Sequence, residues 1–147
     1  TETVSNEFVP AKVSCSVEET FNGEVKSDVK IKNTGNVDAY IRAMVIVNFK
    51  SSDGKILATS PKEDVDYNVS WASSGWAKGS DGFWYYSESV APEALTANLI
   101  ETASAISAPK GYSLDIQIIA SAIQSDPDRA VIEAWGITPS NGMIYPN

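Results

Sequence analysis

The chain has 147 residues, of which 43% are apolar and 20% are charged. These are the values of an ordinary globular protein, so a single domain with a buried core is expected and wholesale disorder is not. The formal net charge of −8 argues against nucleic acid or an anionic membrane surface as a partner, because both would repel the chain.

The sequence contains no histidine and a single cysteine. Without histidine the chain lacks the most common zinc ligand, the usual general base and any histidine-containing triad. Cys15 has no partner for an internal disulfide, and its place on the apolar side of an alternating run favours a buried, unreactive thiol. No stretch approaches the ~20 apolar residues of a membrane span. No leader with basic and apolar parts precedes Thr1, so any signal peptide is expected to have been removed already.

Residues 1–10 are predicted to form an N-terminal arm that is extended or flexible. The arm is polar except for three apolar side chains, Val4, Phe8 and Val9. An extended segment with such anchors could pair with an open sheet edge. The rest of the chain, 11–147, has no linker or internal repeat and is predicted to be one domain.

Alternation of apolar and polar residues predicts a series of strands after the arm. Asn-Gly and Asp-Gly pairs between them supply the positive φ that tight turns need, and hairpins of this kind build antiparallel sheets. The segment 94–108 fits helix and strand spacing about equally. The predicted strands are 11–19, 25–32, 39–50, 67–71, 83–86 and 112–123, with a short return at 55–59.

The run 30–50 is predicted to be a hairpin whose second strand lies in the centre of a sheet. Its two strands flank the cluster Asn33–Asn36, and the second strand is apolar on both faces, which is typical of a strand covered above and below. Arg42 is the only charge in the apolar part of this second strand, 40–49. A buried arginine needs a carboxylate, so we predict a structural ion pair with Asp38, Asp115 or Glu133.

One short C-terminal helix is predicted after residue 125. Asp126 can cap it, Pro127 suits its first position, and Gly136 follows where a C-terminal glycine is expected. This gives about two turns.

An aromatic group in the middle of the chain is the first candidate for a binding site. Exposed members could stack on sugar rings, as in a carbohydrate-binding or adhesive module, but strands favour aromatic residues regardless of function, so core packing is the preferred interpretation. The group consists of Trp71, Trp76, Trp84 and Tyr86, with Tyr85 between the last two.

Carboxylates could also form a glycosidase pair, but the sequence does not place any two of them together. Asp53-Gly54 and Asp81-Gly82 are interpreted as turns and not as calcium loops, because neither is followed by oxygen ligands at alternate positions. The sequence therefore predicts no catalytic residue, metal or cofactor.

The segment Lys32–Arg42 resembles the Asn-Thr-Gly-Asn-x-x-Ala-Tyr-x-Arg signature of TasA/camelysin-like proteins, which Gram-positive bacteria export through an alternative signal peptidase. Further matches in the same order are Asn6-x-Phe8, Val17-Glu18-Glu19 with Phe21, the run Asp81–Tyr86, Ala122–Gln124 and Ala134–Gly136. Together they span nearly the whole chain.

The resemblance implies an antiparallel β-sandwich of jelly-roll or immunoglobulin-like type that is secreted or held at the cell surface. It also implies a non-enzymatic structural role, such as a subunit of biofilm matrix fibres in which the N-terminal arm of one copy is added as a strand to the next. Its expected partners are further copies of itself or another surface protein, with a glycan in the alternative interpretation. Some relatives have been labelled metallopeptidases, but the absence of histidine and of a His-Glu-x-x-His motif argues against that activity here.

Overall fold

The structure is a computed structural model that describes residues 9–147. Val4 and Phe8 of the predicted arm lie outside the described residues. The elements in chain order are β1 (Cys15–Phe21), β2 (Val25–Asn33), β3 (Ala39–Ser51), β4 (Tyr67–Trp71), β5 (Trp76–Lys78), β6 (Trp84–Tyr86), β7 (Ile100–Ala105), β8 (Tyr112–Gln124) and α1 (Asp128–Trp135).

The strands form two four-stranded antiparallel sheets, with the orders β1-β2-β7-β4 and β5-β6-β3-β8. The sheets pack face to face over a core of aliphatic and aromatic side chains, among them Val29, Ile31, Ile41, Leu99 and Ile100. The predicted fold, a mainly β antiparallel sandwich with one short C-terminal helix, is confirmed. No helix among residues 9–147 is long and apolar enough to cross a membrane.

The predicted hairpin over 30–50 is wrong, because β2 and β3 lie in different sheets. Only β1 with β2, and β5 with β6, pair with the strand that follows them directly in the chain. The loop after Asn33 crosses from one sheet to the other, and β3 pairs with β6 and β8 instead. The prediction that β3 is central to its sheet is correct.

The inner face of β3 contributes to the main core, and its outer face is partly covered by the C-terminal part of the chain. Tyr40 is buried there in a second cluster with Val131 of α1, Ile137 and Ile144. Further along the strand, the outer face is only partly covered.

The helix ends at Gly136 as predicted, since this residue has φ 68° and its N–H donates to the carbonyl oxygen of Ile132. The predicted cap at Asp126 is not formed. Pro127 takes the N-cap position with an extended backbone, and no side-chain cap bond is present. The physical reason is that proline carries no side-chain acceptor.

Several strand boundaries differ from the predictions. The first strand begins at Cys15 and not at residue 11, the ambiguous segment 94–108 contains β7, and β5 was not predicted. The return at 55–59 is reduced to a single bridge between Lys50 and Ile56.

Candidate functional site

The loop Asn33–Asn36, called the clamp loop below, binds the backbone of the N-terminal segment Pro10–Ser14. Thr34 N–H donates to the carbonyl oxygen of Ser14, and Asn36 N–H donates to that of Lys12, each at 3.0 Å. The hydroxyls of Ser14 and Thr34 lie 2.8 Å apart. The segment therefore continues the line of β1 beyond the end of the regular ladder.

Asn36 uses both ends of its carboxamide to imitate a neighbouring strand. Its Oδ1 accepts from Lys12 N–H at 2.6 Å, and its Nδ2 donates to the carbonyl oxygen of Pro10 at 3.0 Å. A primary amide offers the same acceptor and donor groups as a peptide unit. The Asn36 side chain therefore binds the backbone of the segment and not its side chains.

Asn33 holds the clamp loop in shape from inside the protein. Its side chain is completely buried. Its Nδ2 donates to the carbonyl oxygens of Val37 and Val90, both at 2.8 Å, and its Oδ1 accepts from Gly35 N–H at 2.9 Å. Every polar group of the carboxamide is thus satisfied, as burial requires.

Gly35 is required by a close approach. An added Cβ would lie 2.2 Å from the carbonyl oxygen of Lys12 and 3.1 Å from Ser14 N. No larger residue fits while the N-terminal segment remains bound, so the Asn-Thr-Gly-Asn sequence has a mechanical explanation at each of its positions.

The N-terminal segment is bound mainly through its backbone. Residues 9–13 are exposed, and Val9, the only predicted arm anchor among the described residues, is 79% exposed. Five hydrogen bonds of about 1 kcal/mol each offset about 5–10 kcal/mol of backbone ordering for five residues. The attachment of Pro10–Ser14 is therefore marginal, and this segment belongs to the low-stability part of the fold.

The outer edge of β8 is unpaired within residues 9–147, because this strand lies at the end of its sheet. Phe49 and Ala39 of β3 direct their backbone groups away from β8, toward Leu57 and Val90. The intervening residues of β3 therefore bond the odd-numbered residues of β8, and its even-numbered residues, 112–124, point their N–H and C=O groups outward. A 13-residue strand with an open edge is a template for pairing with another strand.

Arg42 does not form the predicted ion pair, since no carboxylate lies within 4.0 Å of its guanidinium in the described part of the chain. The guanidinium instead lies between two aromatic rings, 4.1 Å from the centroid of Phe83 and 4.7 Å from that of Trp135. It also donates to Ser121 Oγ and to the Tyr85 hydroxyl, each at 3.3 Å. Stacking on two rings explains how the charge is accommodated without a carboxylate in direct contact.

Asp81 is connected to Arg42 through the Tyr85 hydroxyl. This hydroxyl accepts a hydrogen bond from Arg42 and donates one to Asp81 Oδ2. Burial raises the pKa of Asp81, but hydrogen bonds from the Tyr85 hydroxyl and Phe83 N–H, together with the charge of Arg42, outweigh it and lower the pKa below its ordinary value. Burial and the hydrogen bond to Asp81 raise the pKa of Tyr85, against a smaller opposite effect of Arg42. The group fastens the β5–β6 hairpin to β3.

The aromatic group Trp71, Trp76, Trp84 and Tyr86 lies in or against the main core. Trp76 and Tyr86 are each 8% exposed and contact one another, and Trp76 Nε1 donates to the carbonyl oxygen of Ala97 at 3.0 Å. The rings of Trp71 and Trp84 stack between the two sheets with their centroids 4.8 Å apart, and both pack against the same core. Their rings cover one another, so these four residues do not present a common exposed surface to a sugar.

Three carboxylates that the sequence left free for a site have structural partners. Both carboxylate oxygens of Glu63 accept from Trp71 Nε1, Asp66 accepts from Lys62 N–H, and Glu93 pairs with Lys32. Asp53-Gly54 and Asp81-Gly82 form turns in which each glycine has φ 87°, as predicted.

Two features of the site were not predicted from the sequence. The clustering of Asn33–Asn36 indicated a loop, but its bound segment lies some twenty residues earlier in the chain. Lys26, which lies beside the β8 edge and donates to the carbonyl oxygen of Ile116 at 2.7 Å, carried no signal at all because lysine is common on exposed strands.

No protein-family model, no curated protein and no solved structure matches this chain. The described residues form a β-sandwich whose N-terminal segment is bound through its backbone and whose strand β8 has a long open edge.

Proposed function

We propose that this protein is a non-enzymatic structural protein of the cell exterior, secreted or held at the cell surface, whose copies assemble by N-terminal strand addition. The arm of one copy would pair with the open edge of the next, as in the matrix fibres of the TasA/camelysin-like proteins that the sequence resembles. The resemblance supplies the biological setting, and the physical argument comes from the edge and the arm.

The outer edge of β8 is the observation that carries this proposal. It offers seven residues with outward-pointing backbone groups, and the inner face of the same strand is already ordered by packing of Ile116, Ile118, Ala120 and Ala122 against the core. An added strand would gain main-chain hydrogen bonds without requiring the acceptor to reorganise.

The arm is a suitable donor because it precedes a segment that is already extended. Val4, Phe8 and Val9 provide side chains for specificity, while the polar residues between them favour solubility before addition. The arm leaves the domain from a segment whose attachment is marginal, so it can be presented away from the parent molecule.

Deletion of residues 1–9 tests the proposal while leaving Pro10 in place for the clamp loop. Wild-type protein should form elongated assemblies, seen by light scattering and electron microscopy, and the deletion variant should remain monomeric with an unchanged thermal unfolding midpoint. A wild-type protein that stays monomeric at high concentration, even with added seeds, would refute assembly.

A second variant tests the acceptor edge independently. In Ala120→Pro the lost N–H points to the outer edge and pairs with no strand among residues 9–147, so the sandwich should persist while strand addition is blocked. Ile119→Thr is the matched control, because it changes a side chain on the exposed face of the same strand and leaves the edge intact. Normal assembly of Ala120→Pro would place the acceptor elsewhere.

A further inference from the structure

A groove of about 500 Å³ opens at the end of the sandwich, between the β1–β2 hairpin and the start of β8. Its lining includes the apolar side chains Phe21, Val25, Ala103, Leu114 and Ile116. Phe21 at the rim is 62% exposed, although it belongs to a strand. The groove is therefore an incompletely filled part of the space between the two sheets, directly beside the open edge of β8.

Lys26 closes part of this groove. Its side chain is only 15% exposed, its Nζ donates to the carbonyl oxygen of Ile116 at 2.7 Å, and it pairs with Glu19 at 3.2 Å. Ile116 is one of the β8 residues whose backbone groups point outward. The ammonium group thus occupies the position that the N–H of an added strand would take.

We propose that the groove binds Phe8 from the arm of a second copy. The ammonium group of Lys26 must leave the carbonyl oxygen of Ile116 before the arm can dock. This inference rests on the proposed function and deepens it by naming the acceptor site. In the docked state an N–H of the arm replaces the Lys26 ammonium on Ile116, and the ammonium remains paired with Glu19 at the rim.

The dimensions favour the arm as the occupant. Val4 and Phe8 are four residues apart, so in a strand they project from the same face about 13 Å from one another. An arm of nine residues needs about 30 Å of edge, and the 13 residues of β8 provide about 43 Å. With Phe8 in the groove, the rest of the arm can extend along β8.

The arm must come from another copy while the clamp loop is occupied. Pro10 is held by Asn36, whereas Phe21 at the groove lies 11 residues further along a chain that includes β1, a separation of up to about 36 Å. Phe8 is two residues from Pro10 and reaches no more than about 7 Å from it. A molecule therefore cannot place its own Phe8 in its own groove without releasing the segment.

The test uses full-length protein and a synthetic peptide of residues 1–10, with binding followed by NMR chemical shifts below the assembly concentration. The largest chemical-shift changes should fall on residues 103–105 and 113–116, which line the groove. In Lys26→Met, which keeps the apolar stem but removes the donor, affinity should rise on the order of tenfold, because a competing charge-assisted hydrogen bond is gone. Lys32→Met on the same strand is the matched control and should bind like wild type, since Lys32 pairs with Glu93 instead.

A peptide with Phe8→Ser should bind at least tenfold more weakly than the native peptide. Equal binding of the two peptides, shifts at another surface, or unchanged or weaker binding to Lys26→Met would overturn the inference. These results are separable from those for the proposed function. Failure of wild type to assemble while the peptide binds the groove refutes the fibre and supports the docking site, and assembly with no peptide effect at the groove does the reverse.

Discussion

The clamp loop makes a sharp prediction for Gly35→Ala. The new Cβ would lie 2.2 Å from the carbonyl oxygen of Lys12, whereas ordinary contact begins at 3.4 Å, so the N-terminal segment must move by more than 1 Å. The φ of Gly35 is outside the left-handed region, so alanine itself is not strained in the backbone. The substitution therefore acts on the bound segment and not on the loop conformation.

The substitution should change amide exchange at the clamp loop strongly and the free energy of global unfolding only slightly. Displacing the segment removes hydrogen bonds worth about 5 kcal/mol in total, but it returns a comparable backbone entropy. Alanine also stabilises by about 0.4–1 kcal/mol through the unfolded state. The free energy of global unfolding should thus change by less than about 2 kcal/mol, while the amides of Thr34 and Asn36 exchange about tenfold faster or more, because each loses its backbone acceptor.

Hydrogen exchange followed by NMR measures the local effect, urea unfolding measures the global one, and trypsin should cleave after Lys12 faster in the variant. Gly111→Ala is the control, because an added Cβ there meets no atom within 4 Å. Its positive φ costs some stability, but it should leave exchange at Thr34 and Asn36 unchanged. Equal protection of these two amides in Gly35→Ala and wild type would show that the segment is not held as described.

Two further substitutions test the interior of the site. Asn33→Ala should destabilise the fold by about 2–4 kcal/mol in urea unfolding, because it leaves the buried Gly35 N–H without its acceptor and the Val37 carbonyl without its donor, whereas the Val90 carbonyl keeps the N–H of Ala39. A loss below about 1 kcal/mol would contradict this. Asp81→Asn should lower stability at neutral pH, and the difference from wild type should fade as pH falls below 3.8, because the folded-state pKa of Asp81 is depressed. A difference that persists in acid would assign the effect to packing and not to charge.

The sequence was sufficient for the local elements of the fold. Period-two alternation located β2, β3, β4 and β8 within one or two residues, since side chains on a strand must alternate between the core and the other face. Positive-φ glycines after Asp53 and Asp81 marked turns, and Gly136 marked the end of α1 for the same steric reason.

The sequence did not reveal which residues contact one another across the sheets. Arg42, which is partly buried, lies between Phe83 and Trp135, which are distant in sequence from it and from each other, so the predicted carboxylate partner was wrong. The aromatic group was equally ambiguous until the sheets were packed, because the same residues suit a core and a ligand platform.

What the sequence by itself determined is which side chains face inward, because burial leaves a periodic mark on the chain. What only the tertiary structure decided is which strand lies beside which. Both β3 and β8 are apolar on two faces, yet one is central and the other an open edge, and β2 and β3 belong to opposite sheets. The physical reason is that faces are recorded by side chains, whereas neighbours within a sheet are chosen through backbone N–H and C=O groups that nearly every residue shares.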